Sequence, residues 1–519
     1  MPKEFFITTA IDYTNSAPHI GHAYEKILAD VIARYHRLKG EKVFFLTGVD
    51  QHGQKVQQSA AKAGIPPGEF VKGITQKFVD LWEKLDVCYD AWAATTDPLH
   101  KKCVQEILQR LRDEKKIYKD KQGGYYSIRQ EQFLTDKERG PDGEFGPEWG
   151  EVEFREEENY YFRLSEHKEW LLGYLKNHPG CVAPSFRQTE LINAVEKISG
   201  DLCISRPKSR LNWGIELPFD KDFVNYVWFD ALTNYISFAG YDPSLSTFNS
   251  QPSTFRDKWP ALQIIGKDIL IPAHGIYWMI MLHAIGFPDD QMPQLLVHGW
   301  WNLGGAKMSK SAGNVVDPNA LADKYGTEAL RYYLMSDMLI GYDADFLEYR
   351  IVERHDGDLA NSIGNLLNRT LTMAMRYGSS RLRRGKNRSD LNWLQIQIKA
   401  YRDLAEDVFM SGTMDTVVRM AYDVNATIEK NAPWKMAKEG NTQQAIEVLY
   451  NAAETLRIIA ILLSPVVPRA AHGIFDQLNW KMELSSKEER FSLADAEWGK
   501  LPDGHVVGKP VPLFPRIEG

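Results

Sequence analysis

A buried strand that leads into a histidine-marked helix start constrains this fold more than any other feature. Residues 5–10, FFITTA, have the composition of a buried strand, and the loop after them ends in residues 18–22, PHIGH. Apolar spacing then predicts a helix that starts near His19 and stops at Gly40, followed by a second buried strand at 43–47. Strand, helix and strand in this order predict a right-handed parallel crossover, with ligands at the carboxyl ends of the strands.

The two histidines of this run indicate a phosphate site. His19 and His22 are three positions apart, so a helix that begins there carries both rings on one face of its first turn. That turn also offers free backbone N–H groups and the positive end of the helix dipole, and both favour an anion.

A second run, far along the chain, supplies cations that suit the same ligand. Residues 307–311 read KMSKS within a glycine-flanked loop. Lys307 and Lys310 can neutralise the charge that builds on a phosphorus atom under attack. Together and in this order, the two runs predict one nucleotide site built from both ends of a parallel sheet.

Composition sets the broad class of the protein. The chain has 519 residues, which predicts about three domains, and its net charge of −7 argues mildly against a nucleic-acid partner. No apolar run is long enough to span a membrane, and no signal peptide precedes the first strand. The four cysteines are scattered without a C-x-x-C pair. We therefore expect a cytoplasmic protein with no membrane association, no disulfides and no metal site.

The pattern along the chain predicts an α/β fold with a Rossmann-like parallel-sheet catalytic domain, an inserted connective domain and a following all-α helix bundle. Glycine, proline and acidic residues punctuate short strands between about 115 and 212, whereas helical patterns dominate after 351. The predicted segments are 1–114 and 213–297 for the two halves of the sheet domain, 115–212 for the insertion, 298–350 for the KMSKS loop region, 351–490 for the bundle and 491–519 for a tail that packs on the body.

Five further stretches carry the same family resemblance as the two runs, so that it spans nearly the whole chain. They are residues 10–13, 47–53, 226–235, 265–268 and 431–434. With them, the sequence resembles the class I aminoacyl-tRNA synthetases, and within that class the methionyl-tRNA synthetases. The resemblance implies that methionine attacks the α-phosphate of Mg·ATP to give methionyl-adenylate and pyrophosphate. The methionyl group then passes to the 3′-terminal adenosine of tRNA(Met). Such chemistry depends on positioning and electrostatics, so no nucleophile–base triad is expected.

The resemblance also assigns the nucleotide site. His19, His22, Lys307 and Lys310 are the candidate catalytic residues, since they would stabilise the charge on the phosphates. Asp268 corresponds to the acid that binds the ribose, and Gly21 would let the adenine approach the helix. The candidate ATP-binding residues are Pro18, His19, Gly21, His22, Gly266, Asp268, Lys307, Met308, Ser309 and Lys310.

The same comparison predicts a methionine pocket. Asp50, at the end of the second strand, resembles the carboxylate that binds the α-ammonium group, and a thioether favours aromatic and apolar surroundings. Without the resemblance, most of the other pocket positions would be interpreted as core. In this sequence the segment from Ile269 to His274 is one residue longer than the family pattern, and Leu232 stands where some relatives have proline. The candidate methionine-binding residues are Ile11, Tyr13, Asp50, Trp228, Ala231, Leu232, Tyr235, Ile269 and His274.

Three residues of the helical region resemble positions that read the CAU anticodon. Asn365 and Arg369 are four apart and share a helix face, and Trp434 could stack on a splayed base. The alternative for Trp434 is a residue of the bundle core.

The chain departs from the family at two places. Many relatives carry zinc knuckles in the insertion, but residues 146–150, GPEWG, contain no cysteine, so we expect no structural zinc and a turn held by Trp149 and nearby aromatic side chains. Some relatives also carry a C-terminal tRNA-binding barrel that dimerises them. Because no such module follows the bundle, we expect a monomer, with the tail lying on the body through Leu513 and Phe514.

Alternative functions remain at this point. A class I synthetase for another amino acid would keep both motifs and change the pocket. A catalytically idle RNA-binding paralogue would keep the fold, but the intact histidines and lysines argue against it. A nucleotidyltransferase that acts without tRNA would leave the helical region unexplained.

Overall fold

The computed structural model describes residues 4–129, 132–134, 138–140, 142–308, 315–385, 391–480 and 491–517. Ser309 and Lys310 of the candidate site lie outside these residues. Among the described helices, none combines the length and apolar character that crossing a membrane requires.

A parallel sheet of seven strands forms the centre of the catalytic region, as the sequence predicts. β3 pairs with β1 along its first half and with β2 at its end, while β4 pairs with the opposite edge of β3. On the other side of β1 the order continues through β6 and β7 to β5. The strands are β1 (Phe5–Thr9), β2 (Asp12–Tyr13), β3 (Val43–Asp50), β4 (Ala91–Ala94), β5 (Val182–Ala183), β6 (Leu262–Gly266) and β7 (Gln294–His298).

The strand order creates a crevice above β1. From β1 the chain crosses to β3 on one side, and the later strands β6 and β7 add to the other side. Ligands bind in doubly wound sheets at such a switch point, beyond the carboxyl ends of the strands. All three expected contributors to the site, the loop after β1, the end of β3 and the end of β6, therefore meet at one edge.

Helices cover both faces of this sheet. Among the described residues up to 284 there are ten α-helices, and the last two flank a π-helical segment, Leu270–Trp278, whose Ile271 departs from helical backbone angles. The helices are α1 (Ile20–Leu38), α2 (Gln54–Ala63), α3 (Pro67–Lys84), α4 (Pro98–Asp113), α5 (Lys168–Asn177), α6 (Ser185–Val195), α7 (Val227–Ser237), α8 (Ser253–Arg256), α9 (Lys267–Ile269) and α10 (Met279–Ala284).

The expected insertion contains antiparallel sheets, but it also contributes to the central one. The strand β5 lies within residues 115–212 and pairs in parallel with β7, at the edge of the catalytic sheet. The remaining strands form two small antiparallel sheets: Ile117–Ser127, Gln132–Leu134, Val152–Phe162 and Leu202–Cys203 in one, and Ser205–Pro207, Glu216–Leu217 and Asp220–Asn225 in the other.

A small aromatic cluster lies at the tip of the insertion. The ring of Tyr125 is 5.3 Å from that of Phe145 and 5.5 Å from that of Phe154. The guanidinium of Arg139 lies over Tyr125 and Phe145, at 4.6 and 4.4 Å from the ring centroids. The Trp149 carbonyl, in the turn where the sequence predicts an aromatic contact, accepts a hydrogen bond from Ser127 Oγ at 2.5 Å.

The second half of the chain is mainly helical, as predicted. A three-stranded sheet of Trp301–Leu303, Ala306–Lys307 and Ala344–Asp345 comes first, and a π-helical segment, His355–Gly364, continues α13 into α14. The helices are α11 (Pro318–Tyr325), α12 (Thr327–Asp337), α13 (Glu348–Arg354), α14 (Asn365–Gly378), α15 (Leu391–Glu406), α16 (Met410–Asn431), α17 (Pro433–Lys438), α18 (Thr442–Leu463) and α19 (Pro468–Gln477).

The tail packs on the helical bundle. Leu513 lies against Gly473 of α19, and the ring of Phe514 lies 6.1 Å from that of His355. Further back, the buried carboxylate of Glu454 accepts backbone N–H bonds from Gly499 at 2.7 Å and Lys500 at 2.8 Å. These contacts join the tail to α18 by hydrogen bonds as well as by apolar burial.

Candidate active site

The helix start of α1 fixes the orientation of both signature histidines. His19 is the N-cap, and its Nδ1 accepts a hydrogen bond from the Gly21 backbone at 3.1 Å. His22 Nδ1 accepts in turn from the His19 backbone N–H at 3.1 Å. Since both Nδ1 atoms are acceptors, a neutral imidazole at either position carries its proton on Nε2. A side chain at Gly21 would lie 3.0 Å from the His19 ring, so the local packing favours glycine at this position.

The start of α1 contacts the segment that follows the KMSKS run. The backbone N–H of Ile20 donates to the carbonyl of Val316 at 3.1 Å, so the segment after the KMSKS run contacts the start of α1. On the other flank, Lys307 Nζ lies 3.4 Å from the carboxylate of Asp268 and 3.5 Å from the ring centroid of Trp300. Lysine and aspartate thus face each other at the end of β6, where the sequence predicted the ribose and phosphate contacts.

A cavity of about 350 Å³ opens at the carboxyl ends of β1 and β3, and all nine predicted methionine-pocket residues line it. Its apolar wall comes from one face of α7 together with the loop after β1. The lining also includes four residues that the sequence analysis did not select: Ala10, Lys55, Tyr226 and Val227. Of these, Lys55 could have been found, because it lies in the first turn of the helix that follows the Asp50 loop.

At the apolar end of the cavity, the polar groups of His274, Tyr235 and the Ile269 backbone form hydrogen bonds with each other. His274 Nδ1 lies 3.0 Å from the Ile269 carbonyl and therefore donates to it, which leaves Nε2 to accept from the Tyr235 hydroxyl at 2.7 Å. Burial lowers the pKa of His274 to about 4, so the ring is neutral near pH 7. A neutral, internally hydrogen-bonded pair beside the ring of Trp228 suits an uncharged, polarizable side chain.

Asp50 supplies the negative charge at the other end of the cavity. The residue is buried, and Oδ1 accepts from the His52 backbone at 3.3 Å and from the Thr95 hydroxyl at 3.4 Å. These contacts hold the carboxylate at the end of β3, where it faces the cavity that the wall of α7 closes.

A buried charge network supports the loop between β1 and α1. Lys26 Nζ, which is fully buried, donates to the Ala10 carbonyl, to Asp12 and to Glu25 at 2.8, 2.8 and 2.9 Å. Burial raises the pKa of Asp12 to about 7, although Lys26 acts in the opposite direction. Burial would also raise the pKa of Glu25, but Lys26 and His298 lower it below its ordinary value. The network fixes Ala10, which lines the cavity.

In the helical region, two of the three candidate anticodon residues lie together. The Arg369 guanidinium is 5.9 Å from the ring centroid of Trp434 and is paired with Glu429 at 2.7 Å. Asn365 begins α14 and is exposed. Trp434 is half-buried, so part of its ring is accessible and part packs on the bundle core.

Comparison with known families decides between the alternatives. The family described as tRNA synthetases class I (M) matches residues 5–142 and 149–371, and the anticodon binding domain of methionyl tRNA ligase matches residues 384–519. The chain belongs to the methionyl-tRNA synthetase family. Its activity is that of a methionine–tRNA ligase, and its substrates are methionine, ATP and tRNA.

Similar proteins agree along the whole length of the chain. The methionine–tRNA ligase of Thermotoga maritima is 39% identical over 99% of this chain and 80% of its own, and that of Deinococcus radiodurans is 39% identical over 99% and 75%. A solved structure of Mycobacterium tuberculosis methionyl-tRNA synthetase in complex with methionyl-adenylate matches with a TM-score of 0.90 at 35% identity, covering 99% of this chain and all of that one. These matches favour the methionine enzyme over a class I synthetase for another amino acid.

Among the described residues, no three side chains of His, Cys, Asp or Glu are grouped as the ligands of a metal ion would be. The four cysteines are free thiols, and Cys103 alone is fully buried.

Proposed function

We propose that the crevice above β1 forms methionyl-adenylate with the residues named above in defined roles. Asp50 binds the α-ammonium group of methionine, and the cavity lined by α7 takes the thioether side chain. The observation that carries this proposal is that all nine positions, drawn from four separate segments, line one cavity. A cavity of about 350 Å³ is within the size range of small-molecule sites.

The nucleotide half of the crevice would stabilise the charge of the phosphates. His19 and His22 present Nε2–H donors beside the positive end of α1, so they can bind the phosphate under attack. Asp268 accepts from the ribose hydroxyls. Lys307 and Lys310 bind the pyrophosphate end of ATP. Lys307 then gives up its present contact with the Asp268 carboxylate. Gly266 permits this arrangement, since a side chain there would lie 2.8 Å from the Asp268 carboxylate.

ATP enters as its magnesium complex in this proposal. Mg²⁺ commonly keeps most of its ligands from phosphates and water and uses only one or two carboxylates. The absence of a metal-ligand group among the described residues is compatible with an ion that the substrate carries. The methionine carboxylate then attacks the α-phosphorus, the bond to the β-phosphate oxygen breaks, and pyrophosphate leaves.

The helical region would select tRNA(Met) by its anticodon. Arg369 and Trp434 form a cation–aromatic pair at the surface, and Asn365 lies one helical turn from Arg369. An unstacked anticodon base can stack on the accessible part of Trp434 and receive hydrogen bonds from Arg369, which would then exchange Glu429 for the RNA.

The remaining expectations also belong to this proposal. The catalytic unit consists of residues 1–114 and 213–297 with the inserted segment 115–212, whose β5 extends the sheet. Residues 298–350 carry the KMSKS loop, 351–490 bind the anticodon and 491–519 brace the bundle. We expect the protein to act as a cytoplasmic monomer, to bind no structural zinc and to stay off membranes.

ATP–pyrophosphate exchange without tRNA, assayed with each standard amino acid, tests the assignment. Exchange with methionine alone is expected, and exchange with another amino acid would refute the pocket. Asp50→Asn should raise the KM for methionine by about ten- to a hundredfold, since a charged hydrogen bond is lost. Asp50→Glu, which keeps the charge but moves it by one methylene, is the matched control and should be less impaired. An unchanged KM in Asp50→Asn would remove Asp50 from the site.

A further inference from the structure

A buried His–Asp–His cluster lies directly behind the methionine cavity. Asp230 of α7 is almost wholly buried, and each of its carboxylate oxygens binds one imidazole. Oδ2 is 2.7 Å from His52 Nδ1, and Oδ1 is 2.8 Å from His100 Nε2. The His100 ring continues to the hydroxyl of Ser237 at 2.8 Å. No role in the reaction requires these groups, and a buried carboxylate is costly unless it is paired.

The cluster joins the two ends of the cavity. Asp230 lies on the same helix as the pocket residues Trp228, Ala231 and Tyr235. His52 belongs to the loop that carries Asp50, and its own backbone N–H donates to the Asp50 carboxylate. The bond between His52 and Asp230 therefore connects the wall that receives the side chain with the carboxylate that would receive the ammonium group.

Further contacts of the loop that carries His52 hold it in place. The indole N–H of Trp213 donates to the Gln51 carbonyl at 2.5 Å, and the Gly53 backbone donates to the Trp213 carbonyl at 3.1 Å. Gly53 has a φ of +107°, and a side chain there would lie 2.5 Å from the Tyr13 hydroxyl. The loop is thus held on both sides, and a shift of His52 would move Asp50 with it.

The electrostatics keep the carboxylate charged. Burial alone would raise the pKa of Asp230, but the charge and hydrogen bonds of His52 and His100 lower it below its ordinary value. An ionised Asp230 accepts from His52 Nδ1–H and from His100 Nε2–H, which fixes the tautomer and the plane of both rings.

We propose that His52 and Asp230 are positioning residues that set the distance between Asp50 and the thioether wall, and so fix the length of the amino acid that is accepted. The inference rests on the proposed role of Asp50. His100 binds the other oxygen of the same carboxylate but belongs to α4, whereas His52 belongs to the loop that carries Asp50. Its contribution is to the stability of the fold rather than to the spacing of the cavity.

Two matched substitutions separate these roles. His52→Leu and His100→Leu each remove one imidazole from Asp230 at an equally buried position. His52→Leu should raise the KM for methionine about tenfold or more, because small displacements of positioning groups are costly. Its KM for ATP should not change, and its preference for methionine over ethionine, which is one methylene longer, should fall. His100→Leu should lower the melting temperature and leave both KM values unchanged.

Further variants keep the test decisive. His52→Asn retains an N–H donor near the position of Nδ1 and should recover most of the affinity for methionine. If His52→Leu does not fold, Trp213→Phe removes the indole donor from the same loop and should raise the same KM. Equal changes in the two leucine variants, or no change in Trp213→Phe, would overturn the inference. A normal KM in Asp50→Asn would instead refute the proposed site, so the two failures are distinguishable.

Discussion

The catalytic crevice and the helical bundle use their charged residues in opposite ways. Around the crevice, charges are buried and interlocked: Lys26 joins Asp12 to Glu25, and Asp230 joins two histidines. On the candidate anticodon face, Arg369 is partly exposed and its partner Glu429 is more than half exposed. In the bundle, Glu454 and Arg457 form a buried ion pair that holds the tail.

The difference follows from the size of each substrate. Methionine and ATP are small enough to be enclosed, so the groups that bind them can be preorganised in a dry site where charges act strongly. An RNA loop must approach from solvent, and its bases are read by exposed stacking and hydrogen-bonding groups. The comparison predicts that substitutions in the crevice abolish both steps of the reaction, whereas those on the anticodon face spare adenylate formation.

The largest expected effect concerns stability. Glu454→Gln should lower the free energy of unfolding by about 3–5 kcal/mol, since it leaves the charge of Arg457 without a carboxylate partner in the core. Urea denaturation measures this loss. The exposed pair provides the control, because Glu429→Gln should cost about 1 kcal/mol or less. Equal losses would show that burial does not distinguish the two pairs.

The next effect concerns the first half-reaction. His19→Asn keeps an N-cap acceptor for the Gly21 backbone but removes the imidazole Nε2–H donor. Exchange of pyrophosphate should fall by about 10²–10³, as for the loss of one transition-state donor, while the melting temperature is retained. Full activity in a folded His19→Asn protein would restrict His19 to capping.

Trp434→Ala tests the other side of the comparison. Removal of a stacking platform should weaken tRNA charging by about 1–3 kcal/mol and leave exchange without tRNA unchanged. Tyr422→Ala, at an exposed aromatic position of the neighbouring α16, should change neither activity. A parallel fall of exchange and charging in Trp434→Ala would make the tryptophan a core residue.

The smallest effect is an expected lack of pH dependence. The pKa of His274 in the fold is about 4, below its ordinary value of 6.5, so the ring stays neutral from about pH 5.5 to 8. The KM for methionine should therefore show no titration near pH 6.5. Because the unfolded chain binds this proton more readily, His274 contributes stability that is present above pH 6.5 and is lost as the pH falls towards 4. A step in KM near pH 6.5 would contradict the buried, neutral ring.

Local patterns predicted much of the site. The apolar spacing predicted a helix from about His19, and the strand-to-loop positions placed Asp50 and Asp268 at one edge of the sheet. Roles that depend on matched motifs, such as those of Trp228 and His274, came only from the resemblance, because an apolar wall and a core have the same composition.

The sequence did not predict the contacts between residues that lie far apart along the chain. β5 has two residues and joins the parallel sheet from within the insertion, so no local signal marks it. Asp230 binds residues that are 178 and 130 positions away, and the pair of Arg331 with Asp30 spans 301 positions. Such contacts follow from the packing of whole elements, and single-residue propensities carry no trace of them.

A crystal structure with methionine and a non-hydrolysable ATP analogue would test the account most directly. The account predicts the ammonium group on Asp50, the thioether between Trp228 and His274, and the ribose on Asp268. The triphosphate should lie between His22 and Lys307. A thioether outside this cavity, or an ammonium group bound away from Asp50, would contradict it.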